Sequence, residues 1–429
     1  MSAIALERHP VEPASHTFAS PDPALAEPDL GIPGGTDPVR VETVRTFDDL
    51  AVHRPAWDRL AAQAPQQIPM LMPVWVEAYL RHAVPAAAIW LCIFAYRGAD
   101  LVGVLPVVAE PHPVLGRRRP LLRTLRVGDF SPSGDILLTE DDAGAVLRAL
   151  LAEADRAVPG HLGLALQAVH EGSPLWPALR DGVAGYTVHS HARHRYSFVD
   201  TSGSVDDYMN GLGNMRRNLK RCRKKLDGHG VVTVAVGRAG AEDPAHLDAF
   251  LALEAAGWKG RNGTAILNRP DIVAFYRTLA RDFAAAGWWD WQQVRVDGRL
   301  VAAGMGIRCG RTVMLPKIAF DEGFSACMPG NLLTEAVVRA AFADPETDAL
   351  AHMSDAPWHE SWRMGQHRYD DVHLVRRTLA ATVFQRSRVA GLAFYKTEIA
   401  PRIPERVKRF RETLRQRHVR RAKAATPDT

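Results

Sequence analysis

The chain has 429 residues, of which 47% are hydrophobic and 24% are charged, and it contains ten Trp. This composition excludes a fibrous or wholly disordered protein, because such chains lack the apolar side chains that fill a core. The length is roughly two to three times that of a typical domain, so two globular domains are expected.

The net charge of +5 conceals an uneven distribution along the chain. Residues 386–423 hold 13 Lys or Arg against three Asp or Glu, a charge of +10, so the rest of the chain sums to −5. A basic end on an otherwise acidic protein excludes a nucleic-acid binder whose whole surface is basic. We therefore do not expect nucleic acid as a partner.

The four cysteines, Cys92, Cys222, Cys309 and Cys327, lie far apart and form no Cys-x-x-Cys pair. This spacing argues against a disulfide framework and against a zinc module, and it fits a reducing compartment. No apolar run is long enough to cross a bilayer. We expect a cytoplasmic protein without a bound metal.

Two hairpins, about half the chain apart, suggest an internal repeat. Trp90–Val108 and Trp291–Ile307 each read as two strands joined by a Gly-containing turn, at Gly98 and Gly298. A helical stretch precedes each hairpin, and each turn is followed by Leu-Val and small residues. The pattern predicts two copies of one α/β unit.

The repeat divides the chain into four predicted segments. They are a disordered Pro-rich arm (residues 1–39), an N-terminal domain (residues 40–203), a C-terminal domain (residues 204–383) and a basic tail helix (residues 384–429). Within the tail, apolar residues recur every three or four positions among Arg and Lys from residue 401 onward. Residues 401–429 therefore suit peripheral contact with an anionic membrane surface at the inner membrane face, or docking on an acidic body.

A strongly basic helix is predicted between the two copies, at Asn214–Leu226. Met215, Leu219, Cys222 and Leu226 are spaced as the buried stripe of a helix, and seven Lys or Arg occupy other positions. Two interpretations remain open. The helix is either a solvated connection between domains or a clamp for a phosphate-rich ligand.

Polar residues at positions that usually disfavour them predict that the active site lies in the second copy. Glu254 is predicted on the last turn of a helix, where the macrodipole disfavours a carboxylate, just before Trp258 and Lys259. Lys317 lies within an apolar strand and must pair, reach solvent or meet a ligand. Asp321 follows at the end of that strand.

An anion site is predicted where the next helix begins, at Pro329, Gly330, Asn331 and Leu332. Backbone N–H groups of a first helical turn, together with the helix dipole, stabilise a phosphate group without many basic side chains. The position directly after three strands favours an anion site over the alternative that Pro-Gly only marks the start of a helix.

This order of elements and motifs resembles the acyl-CoA-binding core of the GNAT acyltransferase superfamily. Over residues 245–378 it is similar to the bacterial GNAT group named after a cellulose-biosynthesis protein, which is related to the Fem-type transferases with two GNAT-like units. The resemblance implies tandem GNAT-like domains, each with a mostly antiparallel mixed sheet flanked by helices. It also implies acyl-CoA as co-substrate, held at Pro329–Leu332, although this sequence lacks the usual GNAT pyrophosphate loop.

A dense group of proton-transfer side chains follows the last predicted strand, with Asp355, Trp358, His359 and Glu360 within six residues. Acyl transfer from a thioester needs a base for the incoming amine or hydroxyl. His359 is the candidate base because its ordinary pKa is close to neutral pH, and Asp355 or Glu360 would orient it. A His follows the corresponding strand in the family, which supports this choice by resemblance.

The remaining candidates have supporting roles. Lys317 would stabilise the oxyanion or anchor the acceptor, and Glu254 is the alternative base. Trp258, Lys259, Asp321 and Trp358 are the candidate substrate-binding residues.

We therefore expect an acyl-CoA-dependent acyltransferase whose acceptor is the amine or hydroxyl of an envelope or exopolysaccharide sugar, or of an amino lipid. Two alternatives remain open. One is a Fem-like transferase that uses aminoacyl-tRNA, and the other is a non-catalytic GNAT-like scaffold in a polysaccharide synthesis complex.

Overall fold

The computed structural model describes residues 37–112, 116–180, 182–238 and 244–383. The predicted Pro-rich arm (residues 1–39) lies outside these described residues except for its last three positions. The predicted tail helix (residues 384–429) lies entirely outside them.

The first half of the described chain runs from a strand through two helices to a hairpin and further strands. In chain order its elements are β1 (Val39–Val44), α1 (Phe47–Gln63), α2 (Pro73–His82), β2 (Ile89–Arg97), β3 (Asp100–His112), β4 (Gly116–Arg123), β5 (Leu137–Leu138), α3 (Ala143–Ala157), β6 (Gly163–His170), α4 (Leu175–Leu179) and β7 (Tyr186–Asp200).

The second half begins with two helices and then repeats the same order. Its elements are α5 (Val205–Gly211), α6 (Asn214–Asp227), β8 (Val232–Arg238), α7 (Pro244–Ala256), α8 (Trp258–Arg261), α9 (Pro270–Ala285), β9 (Trp289–Val296), β10 (Arg299–Cys309), β11 (Thr312–Phe320), α10 (Pro329–Ala343), β12 (Ala349–His352) and β13 (Gly365–Arg376).

Within the described residues, thirteen strands form one sheet in the order β1-β2-β3-β4-β6-β13-β7-β12-β11-β10-β9-β8, with β5 beside β3. Neighbouring strands are antiparallel, except that β4 pairs parallel with β6 and β11 pairs parallel with β12. The two halves of the sheet therefore have the same order of pairings, with three antiparallel pairs followed by one parallel pair when each half is followed inward from its outer edge. The predicted fold class, a mixed α/β protein of two similar units with mostly antiparallel sheets flanked by helices, is confirmed.

The two halves exchange their last strands at the centre of the sheet. β13 pairs with β6 and with β7 of the first half, with Val372 opposite Leu166 in β6. β7 in turn pairs with β12 of the second half, where Val199 lies opposite Leu350. Residues 40–203 and 204–383 thus share one continuous sheet, and the boundary between them stays a prediction.

Both predicted hairpins are present, as β2–β3 and β9–β10. The second hairpin turns at Asp297 and Gly298, which have φ of 47° and 80°. Two successive positive φ values give a turn whose twist matches the flanking strands, and such a turn favours Asp-Gly. This local chemistry explains why the hairpins could be predicted.

Apolar packing joins the halves. One core cluster contains Trp57 and Trp75 from the first half together with Phe275 and Trp289 from the second. A second cluster lies around α3, and a third lies between α6, α10 and the sheet. The predicted apolar stripe of α6 is buried in this third cluster, so its basic residues face away from the core.

Candidate active site

α10 begins with an N-terminus that no side chain caps. Its N-cap residue, Met328, has φ of 49° and provides no side-chain oxygen. The backbone carbonyl of Met328 accepts from the N–H groups of Asn331 and Leu332, at 2.9 and 3.2 Å. Pro329 has no N–H, which leaves Gly330 as the first-turn donor for which the described residues supply no acceptor. The helix dipole and this donor together favour an anion.

A notch opens between β11 and β12 beside this helix start. The two strands pair only from Thr312 to Leu315, where Leu315 lies opposite His352, and β11 then continues to Phe320 paired with β10 but not with β12. Pairing of β11 with β10 also shifts register at this point. In the resulting bulge Leu315 and Pro316 stand opposite the single residue Gly306, and a bulge suits Pro because it has no N–H for the ladder.

The corresponding notch in the first half is filled by the chain itself. Beyond β4, the N–H of Thr124 donates to the carbonyl of Ala165 at 3.2 Å. The N–H of Gly134 donates to the carbonyl of Gln167 at 2.7 Å, and a Cβ at Gly134 would lie 2.0 Å from the carbonyl oxygen of Leu125. This tight packing leaves no room for a ligand between β4 and β6, in contrast to the second half.

The loop at residues 128–135, which is part of the segment that fills this notch, reaches the second half. The carbonyl of Phe130 accepts from the Trp75 indole at 3.2 Å, and the Phe130 ring packs edge-on against Phe275 of α9. Asp129 pairs with Arg269, just before α9, at 3.3 Å. The loop therefore forms part of the wall between the two halves.

His359 lies on a 3-10 helix (Pro357–Trp362) that follows β12, and it is 3% exposed. Its Nδ1 lies 2.9 Å from the hydroxyl of Ser197 on β7. Its Nε2 is buried and has no hydrogen-bond partner among the described residues. When Nδ1–H donates to Ser197, the lone pair of Nε2 is free to accept a proton.

Burial lowers the pKa of His359 below its ordinary value of 6.5, and the charge of Asp355 and the carbonyl of Ser354 oppose this effect. Burial, with a contribution from His359, also lowers the pKa of the neighbouring His352 to about 3. The two ring centroids are 4.7 Å apart. Both imidazoles are therefore neutral at pH 7, as a base requires.

The predicted orientation of His359 by Asp355 or Glu360 differs from the structure. Both carboxylates are exposed, and the described hydrogen bonds of His359 include neither of them. Ser197 takes the orienting position because the strand exchange brings β7 beside β12. Asp355 acts on the ring only through its charge.

The predicted site residues lie on two faces of the sheet. Met314 and Ala319 of β11 pack in the core on the side of α7 and α9. Lys317, two residues before Ala319, points to that same side. His359 contacts Trp358, which packs against the core on the α10 side. The candidate base and Lys317 are thus not on one face, although the notch lies between them.

Glu254 serves as a structural contact on the α7 side. Its carboxylate is 4% exposed and accepts from Lys259 Nζ at 2.6 Å and from the N–H of Ile266 at 2.9 Å. Both oxygens are therefore engaged in holding α8 and the segment after it. Trp258 of the same segment is 52% exposed.

The segment with Trp258 docks beside the start of α10. Glu322 accepts from the N–H of Trp258 at 2.7 Å and from Arg261 at 2.6 Å. Asp321 accepts from the N–H of Gly323 and pairs with Arg299 at 2.5 Å. The structure thus brings Trp258 and Asp321 to the mouth of the notch, with Asp321 neutralised by an arginine.

Three residues of this region were not singled out from the sequence. Ser197 and His352 contact His359, and Trp362 contacts Asn331 of α10. The contact of Ser197 depends on the pairing of β7 with β12, and the contact of Trp362 depends on the turn of the chain after β12. Only the density of polar residues after β12 gave a signal for this neighbourhood.

The described part of the chain lacks the features of a membrane span and of a metal site. None of its helices has both the length and the apolar content needed to cross a bilayer. No group of three or more His, Cys, Asp or Glu in it is arranged to hold a metal ion. All four cysteines are buried free thiols.

Comparisons with known proteins agree with this geometry. Residues 213–350 match a family model described as an acetyltransferase (GNAT) domain. No curated protein matches the chain. FemX has a similar structure, with 11% identity, a TM-score of 0.57, and coverage of 80% of this chain and 99% of FemX.

A second similar structure is a conserved protein of unknown function from Bacteroides thetaiotaomicron. It is 11% identical, covers 79% of this chain and 100% of its own, and has a TM-score of 0.50. At these identities both likenesses concern the fold. Residues 213–350 thus match a GNAT acetyltransferase domain, and the chain as a whole has a fold similar to that of FemX.

Proposed function

We propose that the protein transfers an acyl group from acyl-CoA to an amine or hydroxyl by direct attack on the thioester. The observation that carries this proposal is the open notch between β11 and β12 beside the uncapped start of α10. The equivalent notch in the first half is filled by residues 124–135, so one half is built for ligand entry and the other is not.

Electrostatics distinguish the two equivalent helix starts. α3 also begins after a residue with positive φ, Asp142, but Glu140, Asp141 and Asp142 precede it. α10 has no acid in its first turn and follows Ala326, Cys327 and Met328. A pyrophosphate is therefore attracted to the start of α10 and repelled from the start of α3.

The residues present fit an acyl-CoA donor. Gly330 offers an N–H for which the described residues supply no acceptor, and its Cα packs close to Phe320, because a Cβ at Gly330 would lie 3.3 Å from that ring. The apolar side chains of Ile318 and Phe320 are 37% and 38% exposed, in the part of β11 that no longer pairs with β12. These surfaces suit the apolar parts of a thioester donor.

In the proposed reaction the acceptor nitrogen or oxygen forms a bond to the thioester carbonyl carbon, and the carbon–sulfur bond breaks. Neutral His359 takes the proton of the acceptor at Nε2, and Ser197 fixes the ring through Nδ1. The CoA thiolate leaves and takes up a proton from solvent, and protonated His359 releases its proton to solvent, so that the ring is neutral again. Lys317, from the opposite face, provides positive charge for the oxyanion or for the acceptor.

The acceptor would enter the notch from the α7 side, so that its proton is directed through the notch toward His359 on the α10 side. The α7 side is bordered by Lys317 and by the loop with Asp129 and Phe130, which belongs to the first half. A polar and aromatic wall of this kind suits a sugar of an envelope or exopolysaccharide, or the head of an amino lipid. The first half would thus support the site and bind the acceptor.

A second candidate donor is aminoacyl-tRNA, and the basic face of α6 is the observation that favours it. Seven Lys or Arg occupy exposed positions on that helix, close to α10. A polyanionic donor would gain from these charges. The choice between the donors can be tested directly.

Thermal unfolding with acetyl-CoA, long-chain acyl-CoA and tRNA tests the proposal, since only a ligand of the folded state raises the melting temperature. We expect a rise with acyl-CoA that is lost in Gly330→Asp, because a carboxylate would repel the pyrophosphate. Gly144→Asp, at the same position of α3, is the matched control and should keep the rise.

Each other outcome has a defined meaning. A rise with tRNA alone supports the aminoacyl-tRNA donor, and no rise with any donor supports a non-catalytic scaffold. If Gly330→Asp and Gly144→Asp both lose the rise in melting temperature with acyl-CoA to the same extent, the start of α10 is not the donor-binding site.

A further inference from the structure

The exposed face of α6 carries charge that the protein does not neutralise. Arg216, Arg217, Lys220, Arg221, Lys224 and Lys225 are all exposed, and none of them forms an ion pair with any described residue. Arg216, Arg217 and Arg221 contact only asparagine side chains, which are uncharged. Helix α6 has no acid before its last residue, Asp227. Like charges at this spacing repel one another, so the face is expected to have an anionic partner.

An apolar cavity of about 410 Å³ lies directly beside this face. Its floor is formed by Leu226 of α6, Val232 and Val234 of the edge strand β8, Val294 of β9 and Leu332 of α10. Val234 is 43% exposed, and Val231 just before the strand is 71% exposed. Exposed aliphatic surface therefore adjoins α6, whose Arg223 and Leu226 line the same cavity.

The rim of the cavity is positive as well. Glu335 of α10 accepts from Arg223 at 2.8 Å and from Arg339 at 3.0 Å. Since one carboxylate serves two guanidinium groups, the rim keeps a net charge of about +1. A ligand with an aliphatic part and an anionic head matches both the floor and the rim.

We propose that the α6 face and this cavity form a docking site for an anionic phospholipid surface. Headgroup phosphates would lie on the cations of α6, and aliphatic surface around Val231 and Val234 would enter the acyl boundary. RNA fits less well, because α6 carries no aromatic side chain, and proteins that bind exposed bases stack them on aromatic rings. This docking site does not depend on the identity of the acceptor, whereas an aminoacyl-tRNA donor would compete for the same face of α6.

The test measures how full-length protein partitions onto phosphatidylglycerol vesicles and onto phosphatidylcholine vesicles. The charge variant is Lys220→Gln, Arg221→Gln and Lys224→Gln combined. Each cation near an anionic surface contributes about 1 kcal/mol, so three neutralisations should weaken partition about 100-fold. Wild-type protein should bind phosphatidylcholine weakly.

A matched control removes three exposed arginines elsewhere that form no ion pair with any described residue, in Arg59→Gln, Arg148→Gln and Arg180→Gln combined. It changes the net charge equally, and the segment from residue 384 is unchanged in both variants, so any contribution of that segment cancels. The control should partition within about threefold of wild type. Equal partition of the α6 variant and wild type, or equal losses in both variants, would overturn the proposal.

A second variant tests whether exposed aliphatic side chains contribute to vesicle binding. Val231→Ser and Val234→Ser change exposed side chains only, so folding should persist, and partition should fall about tenfold even in high salt that screens charge. If these serines leave partition unchanged, the surface is a general polyanion site and the lipid assignment is wrong. Tighter binding of random-sequence RNA or of inositol hexakisphosphate than of vesicles would overturn it in the same way.

Discussion

The indole N–H of Trp362 donates to the side-chain oxygen of Asn331 at 2.9 Å, joining the segment after β12 to the first turn of α10. Trp362 is fully buried. This hydrogen bond connects the predicted donor-binding residues Pro329–Leu332 to the segment that carries His359. Asn331 and Trp362 are 31 residues apart in sequence, and the fold brings them together.

Asn331→Ala should lower the free energy of unfolding by about 1–3 kcal/mol, because it leaves the buried indole N–H without an acceptor. Asn331→Asp keeps an acceptor at the same place and should stay within about 1 kcal/mol of wild type. Urea denaturation of the three proteins measures the difference. Equal stability of Asn331→Ala and wild type would show that this contact does not hold the two segments together.

Gly134→Ala should destabilise the protein by about 1–3 kcal/mol or more, because the new Cβ would lie 2.0 Å from the carbonyl oxygen of Leu125. The backbone would have to move away from Gln167 and would open the filled notch of the first half. Gly128→Ala, in the same loop, meets nothing within 4 Å and should change stability by about 0.5 kcal/mol or less. Thermal and urea unfolding compare the pair, and similar values for both variants would contradict the close packing.

Local elements of this fold could be predicted because their signals lie within a few residues. α2 and α9 begin at Pro73 and Pro270, and α6 buries the four residues of its predicted stripe. Pro at the first helical position and apolar spacing of three and four need no tertiary information.

The strand exchange and the contacts of the site could not be predicted in this way. Ser197 and His359 are 162 residues apart and meet only because β7 leaves its own half to pair with β12. The sequence placed His359 correctly after a strand, but it favoured nearby carboxylates as its partners. Pairing of distant strands depends on the summed burial of whole faces, which no local pattern contains.

Acid should destabilise the protein below about pH 6.5, and His352 should contribute to this effect. Burial lowers the pKa of folded His352 to about 3, whereas the unfolded side chain titrates near 6.5. Between these values the unfolded state binds more protons, so stability is fully present above pH 6.5 and is lost as the pH falls. The contribution of one histidine is at most about 1.4 kcal/mol per pH unit.

The measurement is urea unfolding at pH 7.5, 6.5, 5.5 and 4.5. His352→Gln should reduce the loss between pH 6.5 and 4.5 by up to about 2.7 kcal/mol relative to wild type. His189→Gln, which replaces an exposed histidine of β7, serves as the control and should keep the wild-type loss. An unchanged slope in His352→Gln would mean that this ring is not held neutral by burial.

The last prediction concerns the base. His359→Ala should lower kcat for acyl transfer by about 10²- to 10⁴-fold while the KM for the donor changes little, because the ring acts on the acceptor proton. In wild type, kcat should fall on the acid side with a midpoint below pH 6.5, since burial lowers the pKa of His359 and only the neutral ring accepts a proton. Ser197→Ala should keep part of the activity and shift that midpoint, as expected of a positioning residue.

Glu254→Gln is the matched comparison for the alternative base. Glu254 already accepts from Lys259 and from the N–H of Ile266, so its loss of charge should reduce stability and raise KM, with kcat within about tenfold of wild type. Steady-state kinetics together with melting temperatures separate these effects. If Glu254→Gln abolishes transfer in a folded protein while His359→Ala retains it, then the proton goes to the α7 face of the sheet, and Lys317 and Glu254 form the catalytic pair in place of His359.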